Sequence, residues 1–193
     1  MSNVDHLKQK GAFTSKGYGP LLPRTIRDSI MFVRALGERY IWIDRFCIIQ
    51  DHPAKHSIIS HMDAVYANAY CTITVADGND ADCGLQGVGR PRTTIPQTID
   101  LPQCLLVVKP DHGPHSKYFT RGWTYQELHL SPRQLIFANG TVFWACQSLF
   151  WSEQKHGELE DNAVLELFEL PFLNWPNLTS WQSLIANYNW REH

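Results

Sequence analysis

The sequence predicts an α/β domain: a parallel sheet flanked by helices, with an added β-hairpin and a helical carboxyl-terminal extension. Three observations predict it. Two short apolar runs rich in β-branched and aromatic residues, Tyr40-Ile41-Trp42-Ile43 and Cys71-Thr72-Ile73-Thr74-Val75-Ala76, are separated by a stretch of helical periodicity, which implies a parallel βαβ crossover. Asn139-Gly140 lies between two further β-type runs, and Asn-Gly is the strongest short-range hairpin signal because both residues tolerate positive φ. From Glu158 to His193 the chain reads as two helical pieces broken around Pro171 and Pro176.

The elements follow in order. Residues Met1 to Leu22 lack periodicity and are punctuated by Gly17, Gly19 and Pro20, so 1–21 reads as an irregular arm. Thr25 with Asp28 has the form of a capping box, and Ile26, Ile30 and Val33 recur at helical spacing until Gly37 stops the helix. Tyr40 to Ile43 reads as a buried strand that delivers Asp44 at its carboxyl end. Pro53 suits the first turn of a second helix, whose apolar stripe is Ile58, Ile59, Met62, Val65, Tyr66 and Ala69. Cys71 to Ala76 is the next strand, ending in Asp77 and the turn residue Gly78. Asn79 to Gln103, rich in Gly, Pro, Asp and Thr, reads as a long irregular excursion, and Leu105 to Val108 adds a strand after it. A helix starting near Trp123 ends at Ser131-Pro132, and Gln134 to Ala138 with Thr141 to Cys146 form the hairpin.

Composition narrows the function. With 193 residues, 44% hydrophobic, and 7 Trp, 9 Phe and 7 Tyr, the chain has the means to bury a dense aromatic core. Its formal net charge of -2 provides no field to attract nucleic acid or an anionic membrane surface, so neither is expected as a partner. Five cysteines, Cys47, Cys71, Cys83, Cys104 and Cys146, are odd in number and include no C-x-x-C pair, which points away from disulfides and zinc ribbons and toward a reducing compartment. Met1 to Lys10 is polar, and no apolar run approaches the roughly 18 residues of a membrane span, so a cytoplasmic protein is expected.

Glu127 is the most informative single residue. It lies one helical turn beyond Trp123, and Leu130 extends the stripe, so a carboxylate stands where a core side chain is expected. Such a group is either paired, with Arg121 or Arg133 in reach, or used. Asp44 and Asp77 end the two β-type runs, where ligands of open α/β sheets bind, and they are equally suited to capping the next turn. Arg45, beside Asp44, makes Asp44 the better functional candidate. His52 and His56 are four apart, but Pro53 stands where a zinc helix needs Glu, and Cys83, Cys104, His112 and His115 have no ligand spacing, so no metal is expected. There is no G-x-S-x-G elbow, P-loop or G-x-G-x-x-G fingerprint.

Three segments taken together carry a resemblance. Tyr40-Ile41-Trp42-Ile43-Asp44-Arg45-Phe46-Cys47-Ile48-Ile49-Gln50-Asp51, Met62-Asp63-Ala64-Val65-Tyr66-Ala67-Asn68-Ala69 and Arg121-Gly122-Trp123-Thr124-Tyr125-Gln126-Glu127 resemble the fungal heterokaryon-incompatibility (HET) domain in wording, order and spacing. The resemblance covers Leu22 to Cys146 and implies a HET-like domain over 22–150, with a helical extension over 151–193. It implies a TIR/flavodoxin-like fold and a role in fungal non-self recognition, programmed cell death and innate immunity. In TIR domains that cleave NAD, a catalytic glutamate follows a tryptophan in a W-x-x-x-E pattern, and Trp123 with Glu127 is similar to that pair. The resemblance therefore implies Glu127 as catalytic residue, Trp123, Asp44, Arg45, Asp77 and Arg121 around NAD, and NAD as substrate rather than resident cofactor.

The sequence also departs from the family pattern. HET domains usually open with a strand bearing a Leu-Ser-Tyr-x-Trp-Gly-like segment, which Met1 to Leu22 does not match, so the first strand is expected to be missing or replaced and a sheet edge exposed. Trp181 to Arg191 resembles the helix that follows the core in longer members, so a truncated piece of a larger signalling protein is expected. Two functions stand first, a death effector with a TIR-like site and a non-catalytic module that signals by binding protein partners or itself, with a degenerate HET fragment and a nucleotide-binding sensor without turnover as further alternatives.

Overall fold

The computed structural model describes residues 3–14, 16–17, 19–92, 98–101, 104–107, 117–138, 140–146 and 149–153. They divide into two units that interleave along the chain, Met1–Met62 with Asp80–Pro91, and Asp63–Asn79 with Arg92–His193. Of the helical carboxyl-terminal extension expected over 151–193, residues 151–153 are described and finish a strand and a turn instead, and the rest lies outside the described residues.

The first unit is built around helix α2 (Arg24–Ala35), preceded by a short helix α1 (Asn3–Leu7) and a 3-10 turn at Gly19–Leu21. The arm expected to be irregular thus contains a short α-helix and a 3-10 turn. Helix α2 starts after Pro23, and its first amides are satisfied from a distant segment rather than by its own side chains. Arg24 N–H donates to Asp82 Oδ1 at 3.0 Å, and Thr25 N–H donates to the Ala81 carbonyl at 3.0 Å. The expected capping box is therefore replaced. Thr25 Oγ1 accepts the Gly84 N–H at 3.1 Å and Asp28 Oδ2 accepts the Leu85 N–H at 2.9 Å, so both side chains pin residues 84–85 to the helix. Gly84 has φ +72°, where any other residue is strained, and a Cβ there would crowd Asp28 Oδ2, so the position favours glycine. Leu85, beside it, is fully buried. At its far end α2 stops as the sequence predicts: Gly37 adopts φ +80°, with Gly37 N–H on the Arg34 carbonyl and Glu38 N–H on the Val33 carbonyl, a Schellman motif.

Two expectations are corrected here. Tyr40 to Ile43 forms no strand; the segment is irregular, and Tyr40 is 83% exposed. β-branched and aromatic composition suits a pleated surface, but a strand exists only when a second strand pairs with it, and no described residue does so. Asp44 consequently opens a one-turn helix, α3 (Asp44–Cys47), instead of ending a strand. The single helix expected over 53–69 is two short ones, α4 (Lys55–Ile59) and α5 (Met62–Ala67). Between them the Ser57 carbonyl is taken by Ser60 Oγ at 2.9 Å and contacted by His61 Nδ1 at 2.7 Å, while His61 N–H turns to the Ile58 carbonyl. Side-chain groups have displaced the i→i−4 bond that would have continued the helix.

The second unit contains a four-stranded sheet in the order β1 (Thr72–Val75), β4 (Arg133–Ala138), β5 (Thr141–Cys146), β6 (Phe150–Ser152). A separate antiparallel pair joins β2 (Thr98–Leu101) to β3 (Cys104–Val107), so the excursion after Asn79 is not wholly irregular. The fold is mixed α/β. Only β1 and β4 run parallel, in register Thr72↔Gln134 to Val75↔Phe137, and the remaining pairs are antiparallel. Helices α6 (Lys117–Thr120) and α7 (Gly122–Leu130) lie within the β1–β4 crossover. The β4–β5 hairpin is the one predicted, with Gly140 at φ +70°. Period-two alternation sends Thr74, Gln134, Ile136, Ala138, Thr141, Phe143 and Ala145 to one buried face, where Ile136, Ala138, Phe143 and Ala145 pack with Leu128 of α7 and with Tyr118. Arg92 closes the sheet's last strand by a two-pronged ion pair with Glu153, whose Oε1 also accepts the Val142 N–H at 2.7 Å. Among the described residues no helix is long and apolar enough to cross a membrane.

Candidate functional site

Helix α7 holds the candidate carboxylate. Arg121 precedes it in an extended conformation, and the Thr124 hydroxyl reaches the carbonyl oxygens of Arg121 (2.6 Å) and Tyr118 (2.5 Å), tying the helix start to α6. The helix ends where the sequence predicts, with Ser131 extended before Pro132. Among its described side chains Thr124 and Leu128, four apart, form the buried face, whereas Leu130 of the expected stripe is 38% exposed. Glu127 flanks this face and is half-buried.

Both carboxylate oxygens accept hydrogen bonds from tyrosine. Tyr66 Oη, from α5, donates to Oε1 at 3.1 Å, and Tyr118 Oη, from α6, donates to Oε2 at 3.3 Å. These are longer than the ~2.7–2.8 Å typical of O–H···O bonds. The peptide beneath is fixed as well. Ser131 Oγ lies 2.6 Å from the Glu127 carbonyl and 2.8 Å from Thr72 Oγ1, which links the glutamate's backbone to strand β1. Burial pushes the Tyr118 phenol well above the ordinary tyrosine range, and the Glu127 charge adds to the rise, while the Thr74 hydroxyl acts in the opposite direction. Tyr118 is therefore a neutral donor throughout the physiological range.

The arginines considered as partners for Glu127 are placed otherwise. Arg133 Nη1 donates to the Tyr70 carbonyl at 3.0 Å and its guanidinium stacks 5.3 Å from the Tyr70 ring, and Arg121 is exposed at the start of α7. Asp77 follows β1 and accepts the Gly140 N–H on Oδ2 at 3.1 Å, bracing the hairpin turn. Asp44 Oδ1 accepts the Arg45 N–H at 2.6 Å, and both residues are exposed in the first unit. Trp123 lies in α7 one turn before Glu127, and its side chain is outside the described residues. Within the second unit, then, Glu127 is brought together with Tyr66 and Tyr118, while Asp77 serves the hairpin.

Sequence reasoning missed Tyr118 and took Tyr66 only as part of an apolar stripe. A phenol's ring carries the hydrophobic pattern, and its hydroxyl leaves no periodic trace. Among the described residues no group of three or more His, Cys, Asp or Glu side chains converges on a metal position, and Cys47, Cys71, Cys83 and Cys146 are free thiols.

No curated protein and no solved structure matches the chain. Residues 5–127 match the family model described as Heterokaryon incompatibility protein (HET). That match takes in the three quoted segments and runs as far as Glu127, over more than half of the 193 residues. The chain belongs to the heterokaryon incompatibility (HET) family.

Proposed function

We propose that this HET-family chain acts in non-self recognition and programmed cell death through a TIR-like site centred on Glu127, which cleaves the nicotinamide–ribose bond of NAD in the cytoplasm. One observation carries the reading: a half-buried carboxylate, one turn beyond Trp123, whose two oxygens are both oriented by hydroxyl donors from other helices. The C–N bond to nicotinamide breaks, nicotinamide leaves with the bonding pair, and water adds to the ribose carbon and releases a proton. The transition state carries positive charge on the sugar ring, and a fixed carboxylate stabilises it. Trp123, Arg121 and Asp77 belong to the same unit as Glu127 and are the residues this reading places around the substrate; Asp44 and Arg45 belong to the other unit. On this view the mixed sheet is a variant of the TIR/flavodoxin-like plan.

Expression in yeast tests it, with viability and cellular NAD followed for the parent and for Glu127→Ala. The parent should kill and deplete NAD, and the variant should do neither. Toxicity and NAD loss that both persist in the variant would remove Glu127 from the chemistry. A second reading, a contact-signalling module, is favoured by Leu149 and Trp151, which are 52% and 46% exposed around strand β6 and offer apolar contact to a protein partner. Killing without any fall in NAD supports that one.

A further inference from the structure

Two phenol hydroxyls address the Glu127 carboxylate. Tyr66 and Tyr118 come from different helices, 61 and 9 residues away in sequence, and each addresses a different oxygen. A glutamate side chain has three rotatable bonds, and one donor would leave the carboxylate free to pivot about it. Two donors on opposite oxygens define its plane. Below the side chain, the Ser131 and Thr72 hydroxyls hold the helix backbone to β1, so side chain and main chain are located independently. The donors are also neutral: unlike an arginine fork, they orient the carboxylate without adding positive charge beside it.

We infer that Tyr66 and Tyr118 are the positioning residues of Glu127, a pair of phenols that together set the orientation in which its carboxylate meets the substrate. The inference rests on Glu127 being the reacting carboxylate. Reaction rates depend steeply on such placement, and a misplacement of about 1 Å can cost about a hundredfold. Because the phenols act through Glu127, removing either hydroxyl disturbs the transition state more than substrate binding. Each ring stays in place when only the hydroxyl is removed, so the packing of Tyr118 against the sheet core is retained.

The test uses the full chain and its Tyr66→Phe and Tyr118→Phe variants, with circular dichroism as the check on folding. Two quantities are measured: NAD turnover, and the carboxylate stretch of Glu127 isolated as the infrared difference between each protein and its Glu127→Gln counterpart. Each Phe variant should lower kcat by about ten- to a hundredfold with KM within about twofold, and each should shift the carboxylate band. Should one variant fail to fold, the other decides. Unchanged kcat in both folded variants of an active parent, or a fall confined to KM, overturns the inference. A parent that turns over no NAD sinks the proposed reaction instead. The band then decides the positioning role alone, in favour if it shifts and against if it stays.

Discussion

Glu127 shares its two oxygens between two phenols, and the consequences differ for the two kinds of group. For the carboxylate the effect is orientation. For Tyr118 the effect is on its proton: burial first, and the adjacent Glu127 charge second, raise the phenol above its usual value of 10.0. The folded protein therefore keeps this proton at pH values where the unfolded chain releases it. The stabilisation is complete below about pH 10 and is lost as pH rises toward the folded value. Scanning calorimetry from about pH 8 to about pH 11 should show the melting temperature of the parent falling more steeply at the alkaline end than that of Tyr118→Phe. Parallel curves for the two proteins would show that the buried phenol is not linked to folding.

The elements divide by what their signals depend on. Helix α2, helix α7 and the β4–β5 hairpin were legible because their determinants are local: Gly37 at a Schellman stop, Ser131-Pro132 after α7, and Asn139-Gly140 between two β-type runs. Tyr40 to Ile43 had equally good local signals and failed, because a strand depends on a partner that composition does not reveal. The short strands β2 and β6 went unread because each is only three or four residues long, too short for alternation to register, whereas β3 is the strand read from the apolar run at Leu105 to Val108. At the candidate site, Glu127 stood out as a misplaced charge, while its partners did not, since a tyrosine inside an apolar stripe looks like any other core residue. The break between α4 and α5 is local in origin yet hidden, because it depends on which carbonyl Ser60 and His61 choose. Replacing both by alanine should return the Ser57 carbonyl to the helix ladder and join the two helices. Far-UV circular dichroism of Ser60→Ala/His61→Ala should show more helix than the parent, and an unchanged spectrum would place the cause of the break elsewhere.

At the scale of the molecule, the chain passes between its two units after residues 62, 79 and 91. Helix α2 depends on residues 81–85 for its first hydrogen bonds, and strand β1 depends on β4, some 60 residues later, for its ladder. Cutting the gene after codon 91 should therefore yield a carboxyl-terminal piece without β1, α5 or Tyr66. That piece should give the narrow amide dispersion of an unfolded chain in a two-dimensional NMR spectrum, and a well-dispersed spectrum would show that the hairpin strands fold without β1.

The same interleaving bears on inheritance. A single crossover between two alleles anywhere from codon 63 to codon 91 makes both units mosaics, and one on either side of that window still splits one of them. Within the window a Tyr66 from one parent must meet a Glu127 from the other whenever the exchange falls after codon 66, and an Asp28 from one must meet a Leu85 from the other whenever it falls before codon 85. Variation in such a gene should travel as one linked haplotype, with new specificities arising by point substitution more readily than by shuffling.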